Sequence, residues 1–170
     1  MKKILFFIFC LTSCYYFDDT PENSAKQSLI TDREYKDVLL NNLKETTRSL
    51  KVIMFVIRYS DNSVREILNQ ILNLKKAGID IKIVLDKTTA TDYPETTNFL
   101  IKNEISFKLY TKSTLHTKMV IFDDETVILG SHNWTDAALN QNREVSFLSR
   151  DEKIVEKSKT YFEEIYNEVN

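Results

Sequence analysis

The chain contains two histidines, and both fall in one run, LHTKMVIFDDETVILGSHNW, residues 115–134. The first, His116, precedes Lys118 by two positions at the head of the apolar stretch Met119 to Phe122. On a strand, His116, Lys118, Val120 and Phe122 project from one face, with about 6.5–7 Å of rise between histidine and lysine. A phosphate fits against such a pair: an imidazole nitrogen can attack phosphorus while a fixed ammonium neutralises charge on the oxygens. A lone His-x-Lys more often has a structural role, a part-buried histidine beside a snorkelling lysine at a strand end. The surroundings of the pair decide between the two.

Three segments match the capping box, Ser or Thr at the N-cap with Glu three residues on: Thr31 to Glu34, Ser63 to Glu66 and Ser149 to Glu152. Each leads into apolar residues at helical spacing, for example Val64, Ile67, Leu68, Ile71 and Leu72. Gly78 takes the C′ position of the second helix, and a shorter helix is expected from near Pro94 over Phe99 and Leu100. Between the helices lie β-rich runs: Leu50 to Ile57, Ile79 to Leu85, Ile105 to Tyr110, His116 to Phe122, Thr126 to Leu129 and Val145 to Leu148. The first two are almost continuously apolar, as strands covered by helices on both faces are. A hairpin runs through Asp123, Asp124 and Glu125. This alternation predicts the fold class: α/β, a mixed β-sheet sandwiched between helices.

Hydrophobic and charged contents of 42% and 28%, with two Gly and two Pro, describe a folded globular chain and exclude collagen-like or linker-rich composition. The first residues stand apart. Met1-Lys2-Lys3 is a basic start and Ile4 to Leu11 an apolar run too short to span a bilayer. It ends in Leu11-Thr12-Ser13-Cys14, which resembles the lipobox of bacterial lipoproteins, cut before the cysteine that is then acylated; an ordinary secretory signal is the alternative. The expected organisation is a signal peptide over 1–13, a lipid-anchored tether over 14–30 and one catalytic domain over 31–170. Cys10 then leaves with the signal and Cys14 carries lipid, so the mature chain forms no disulfide. It keeps 21 basic against 25 acidic side chains, which excludes a globally basic nucleic-acid binder.

The spacing His116-x-Lys118-x₄-Asp123-x₆-Gly130-Ser131 resembles the HKD signature of the phospholipase D superfamily. Gly130-Ser131-His132-Asn133-Trp134-Thr135 is similar to the GSxNWT segment that follows it there, and Asn142-Arg143-Glu144 to the later Asn-x-Glu. The resemblance covers 31–168. It implies a phospholipase D-like fold and metal-independent phosphodiester hydrolysis through a phosphohistidine on His116. Glu144 is expected to bond the second ring nitrogen and fix the tautomer. Lys118, Ser131 and Asn133 are expected to bind the substrate phosphate, and Asp123 to orient the loop or the His116–Lys118 pair. His132, at the variable position, reads as a loop or rim residue, and Trp134 as a packing anchor. Lys82, Lys87, Lys108 and Lys112 read as scattered surface charges, with Lys112 placed to reach a phosphate backbone. No cofactor and no metal are implied: two histidines without a thiol are a poor ligand set.

In-line displacement needs a nucleophile on one side of phosphorus and an acid on the other, and the chain has one motif. The resemblance implies a homodimer whose two His116 residues share a composite site. The expected substrate is nucleic acid, cut by a nonspecific endonuclease. The alternatives are a phospholipase D acting on phosphatidylcholine or cardiolipin, favoured by the anchor, and a non-catalytic envelope protein. The expected location is the extracytoplasmic side of the cell envelope, lipid-anchored to a membrane, or else secreted or periplasmic.

Overall fold

A computed structural model of the protein describes residues 26–169. The signal peptide, Cys14 and most of the tether lie outside the described residues. Seven strands run in chain order as β1 (Gln27–Thr31), β2 (Ser49–Met54), β3 (Asp80–Asp86), β4 (Phe107–Tyr110), β5 (Lys118–Phe122), β6 (Thr126–Gly130) and β7 (Val145–Ser149). They form one sheet in the order β1-β7-β6-β5-β2-β3-β4. β2, β3 and β4 are parallel to one another, and the other neighbours are antiparallel. Five helices complete the fold: α1 (Glu34–Glu45), α2 (Asn62–Lys76), α3 (Lys87–Asp92), α4 (Pro94–Lys102) and α5 (Glu152–Glu168).

Strand alternation divides the core in two. Val52 and Met54 of β2 join Val120 and Phe122 of β5 on the face packed by α1, α2 and α4, through Leu39, Leu43, Ile67, Ile71 and Leu100. Ile53, Met119, Ile121 and Val127 point the other way, onto Val155, Phe162 and Ile165 of α5. Both faces of the central strands are therefore dry, and every residue of β5 is buried. That accounts for their continuous apolar runs and matches the expected sandwich.

The helix starts differ from the capping-box reading. The α2 and α5 caps are Asp61 and Asp151, and only Asp151 caps with its side chain, accepting from the N–H groups of Lys153 and Ile154. Ser149 instead ends β7, its hydroxyl accepting from Asp151 N–H at 3.1 Å. For α1 half of the box forms: Glu34 reaches back to the N–H and hydroxyl of Thr31, both at 2.9 Å, but Thr31 ends β1 and Arg33 is the cap. A carboxylate next to the helix competes with the more distant hydroxyl for the same N–H groups, and the carboxylate wins at Asp151. Gly78 closes α2 as expected, with φ at +83°.

The boundary at residue 31 also moves. Residues 27–31 are not tether but the edge strand β1, paired with β7 from Gln27↔Ser149 to Thr31↔Val145. Only Ile30 of β1 is buried. One buried side chain leaves no alternation for the sequence to show, so an edge strand of this kind reads as linker.

Candidate active site

The loops at the carboxyl ends of β2 and β3 and at the adjoining ends of β5, β6 and β7 meet at one edge of the sheet, where ligands of open α/β sheets bind. Lys118 opens β5, opposite Met54 of β2, and His116 lies just before the strand. The chain is fixed at Leu115: its side chain is buried, and its N–H donates to Asp86 Oδ2 at 2.7 Å. Asp86 has no exposed surface. Burial pushes its carboxyl up, but the N–H groups of Thr88 and Leu115 and the hydroxyl of Thr88 outweigh that and hold it below the usual carboxylate range. Between this pin and the buried strand, His116 is left exposed.

Lys118 turns back and donates from Nζ to the carbonyl oxygen of His116 at 2.7 Å. Its side chain is nearly buried, and burial lowers its pKa below that of an ordinary lysine, with the charge of Glu144 working against the shift. The lysine and the glutamate, 26 residues apart in the chain, therefore share one local field. Phe55, just past β2, lies under both members of the pair: its ring is 4.5 Å from the His116 ring and 4.9 Å from Lys118 Nζ.

The other half of the site is the turn after β6 and the start of β7. Gly130 is forced here, because a Cβ would overlap Ser146. The Ser131 hydroxyl donates to a carboxylate oxygen of Glu144 and accepts from Val145 N–H at 3.1 Å. Asn142 Nδ2 donates to the other carboxylate oxygen at 3.0 Å. Asn133 is half-buried, and its Oδ1 is a buried acceptor without a partner. Buried groups left in that state are uncommon and gather at functional sites. Residues 137–141 form one π-helical turn, a local geometry frequent beside such sites.

Glu144 itself is held from β1. Asp32, with a left-handed φ of +50°, exchanges two bonds with it: Glu144 N–H to Asp32 Oδ1 and Asp32 N–H to the Glu144 carbonyl, both 2.9 Å. Arg33 donates to the carbonyls of Asn140, Gln141 and Asn142 at 3.1, 2.8 and 3.0 Å. Trp134 is fully buried, donates to Tyr35 Oη at 3.2 Å and forms a bridge to Ile57, as a packing anchor should. Burial pushes the Tyr35 phenol up to about 12.

Three expectations are corrected. His132 is not on a rim: it has no exposed surface and stacks on Tyr35 at 4.3 Å. Its Nε2 donates to the Asp32 carbonyl at 2.9 Å, so Nδ1 accepts from the Ser146 hydroxyl at 2.7 Å. Burial lowers its pKa, against the opposing effect of that carbonyl and of the Glu144 and Asp32 charges. Glu144 does not bond His116; its oxygens are taken by Ser131 and Asn142, and the His116 ring has no hydrogen bond among the described residues. Asp123 does not join the site. It sits at the far end of β5, five residues or about 16 Å from Lys118, where its carboxylate accepts from the N–H groups of Thr47, Arg48 and Ser49 at 2.9, 2.7 and 2.9 Å. It orients that loop, as one half of the expectation had it. Of the scattered lysines, Lys82 pairs with Glu163 and Lys112 with Glu168, while Lys108 donates to the carbonyls of Tyr166 and Val169.

Phe55, Asp86, Asp32 and Arg33 went unnoticed in the sequence. Asp86 alone had a usable signal, a single carboxylate between an apolar strand and Lys87-Thr88, the pattern of a helix N-cap.

The chain belongs to the family described as cardiolipin synthase, PLD-like domain, which matches residues 39–166. It is 28% identical to the envelope phospholipase OPG057 of Monkeypox virus over 161 residues, which is 87% of this chain and 42% of that protein. It is 26% identical to the mitochondrial cardiolipin hydrolase of Chlamydomonas reinhardtii over 129 residues, 75% of this chain and 56% of that one. The chain thus spans about half the length or less of these relatives. Its fold is similar to that of NucT from Helicobacter pylori, with a TM-score of 0.74 at 22% identity, covering 85% of this chain and 97% of NucT.

Proposed function

We propose that the protein is a metal-independent phosphodiesterase that works through a phosphohistidine on His116. One observation carries the reading: an exposed imidazole, without a hydrogen bond among the described residues, packs on the same Phe55 ring as a nearly buried ammonium that donates to the His116 carbonyl and shares its field with Glu144. An imidazole nitrogen attacks phosphorus, a P–N bond forms as a P–O bond breaks, and the leaving oxygen takes a proton. Water then cleaves the P–N bond and releases a phosphomonoester. Lys118 and the Ser131–Asn133 turn bind the phosphate oxygens, and Glu144 supports the positive imidazole through the local field.

The proton for the leaving group comes from His116 of a second copy in a homodimer. Leu29 and Val145 support such a contact: they stand 66% and 48% exposed on neighbouring strands β1 and β7, and Val145 directly follows Glu144. A monodisperse, active monomer by size-exclusion chromatography with light scattering would refute the dimer.

The substrate we propose is nucleic acid, cut nonspecifically. The reading is supported by the fold shared over 97% of NucT and by a motif that resembles that of small single-motif endonucleases. Phospholipid head-group hydrolysis is the second reading, supported by the names of the viral and algal relatives and by the lipobox-like Cys14. No described helix is long and apolar enough to cross a membrane. The test sets the wild-type chain beside His116→Ala in EDTA at low salt. DNA cleavage by the wild type alone establishes the nuclease. Intact DNA with head-group release from phosphatidylcholine or cardiolipin vesicles establishes the phospholipase, and neither activity rejects the enzyme.

A further inference from the structure

Phe55 sits where no polar chemistry marks it, one residue past β2, yet its ring touches both members of the reactive pair. The His116 ring meets it at a centroid distance of 4.5 Å and an interplanar angle of 55°. The Lys118 ammonium lies 4.9 Å from its centroid. We propose that Phe55 is a positioning residue for the reaction at His116: an aromatic shelf that sets the tilt of the imidazole and holds the Lys118 ammonium beside it. The inference rests on the reading of His116 as the nucleophile.

Two needs meet at this ring. The His116 imidazole takes no hydrogen bond among the described residues, and the glutamate expected to orient it is engaged by Ser131 and Asn142. Packing against Phe55 is then what limits its rotation, and a tilted aromatic contact does so without occupying either ring nitrogen. Lys118 has surrendered most of its hydration and makes one hydrogen bond, to the His116 carbonyl. An ammonium over a π-face recovers part of the lost charge stabilisation without an acidic partner that would repel a phosphate. The same ring, in tilted contact with His116, favours the positive imidazole that forms when nitrogen bonds phosphorus.

The shelf is itself fixed. The Phe55 carbonyl accepts from the Thr89 hydroxyl at 3.0 Å, and that hydroxyl oxygen accepts from Ile57 N–H at 3.2 Å. The Val56 carbonyl between them accepts from Trp134 N–H at 3.0 Å. The loop carrying Phe55 is thus tied both to α3 and to the turn that bears Ser131 and Asn133, so one rigid piece sets the distance between the two halves of the site.

Because the chain has two histidines, their imidazole signals in NMR separate positioning from folding. In the full-length chain, Phe55→Leu and Phe55→Met should shift the His116 ring signals, through loss of the ring current, and leave those of the buried His132 in place. On bis(p-nitrophenyl) phosphate, kcat should fall about 10–100-fold with KM changed less than about twofold, the signature of a lost orientation. Phe55→Tyr, which keeps the π-face, should recover kcat to within about threefold. Unmoved His116 signals, or full kcat in Phe55→Met, overturn the shelf. Should Phe55→Leu unfold and move both histidines, Phe55→Met against Phe55→Tyr carries the same decision. A wild-type chain inert on the diester would defeat the catalytic reading of His116, while the NMR shift would still report the contact.

Discussion

The two ends of β5 carry clusters built from similar residues, and they differ in how fully their hydrogen bonds are used. At the hairpin end Asp123 takes three backbone N–H groups and the Thr47 hydroxyl. Asp124 pairs with Lys51 at 2.5 Å, and Arg48 bridges the Asp123 carbonyl and Glu125, each at 2.6 Å. Donors and acceptors there are matched. At the other end, among the described residues, the His116 ring has no hydrogen bond, Lys118 makes one bond to a carbonyl, and Asn133 Oδ1 is buried without a partner. Both ends hold lysine and carboxylate, so residue type does not separate them. A saturated cluster holds the chain; an unsaturated one keeps capacity for a ligand.

Replacing a residue at each end should give opposite results. The largest effect belongs to His116→Ala, with a loss of about 10⁴-fold or more in diester cleavage, as for removal of a nucleophile, and a change in unfolding free energy of no more than about 0.5 kcal/mol, because the side chain is exposed. Ser131→Ala should follow. It frees Glu144 and removes one oxyanion donor, lowering kcat about 10²-fold with melting nearly unchanged.

Asp123→Ala reverses the pattern. It strips several backbone donors of a charged acceptor and should cost about 2 kcal/mol in denaturant unfolding, while kcat per folded molecule stays near wild type. If Asp123→Ala abolished cleavage without loss of stability, the division between the two ends would fail.

The smallest effect is a pH dependence. Burial lowers the His132 pKa from 6.5 in the folded chain, so folding favours the neutral ring. That stability is complete above about pH 6.5 and declines as pH falls from there toward the folded pKa. Asp86 and Asp123, both lowered from 3.8, add a second loss below that value. Thermal melting should therefore begin to drop below about pH 6.5 in the wild type, and His132→Gln should lack that first limb while keeping the second.

The strand positions, the sandwich and the His116–Lys118 pair were legible because the chemistry needs polar types at fixed spacing and the core needs continuous apolar runs. Phe55 was hidden by the opposite cause: a phenylalanine inside the run VIMFVI looks like one more core residue, although its work is at the surface. His132 misled in the same way from the polar side, since nothing local says that a histidine beside a serine will be buried against Asp32 and Tyr35. Asp123 carried the motif's spacing but not a place in the site: five residues of strand rise already put it about 16 Å from Lys118, at the opposite end of β5. β1 escaped notice because it buries a single side chain.

The proposed mechanism requires that His116 become covalently bound to phosphorus during turnover. The direct measurement incubates the wild-type full-length chain with bis(p-nitrophenyl) phosphate, quenches in alkali during turnover and locates the adduct by peptide mass spectrometry. The expected result is a p-nitrophenyl phosphoryl group joined to His116 and absent from a His116→Ala chain. Steady turnover with an unmodified His116, or an adduct on another residue, would contradict it.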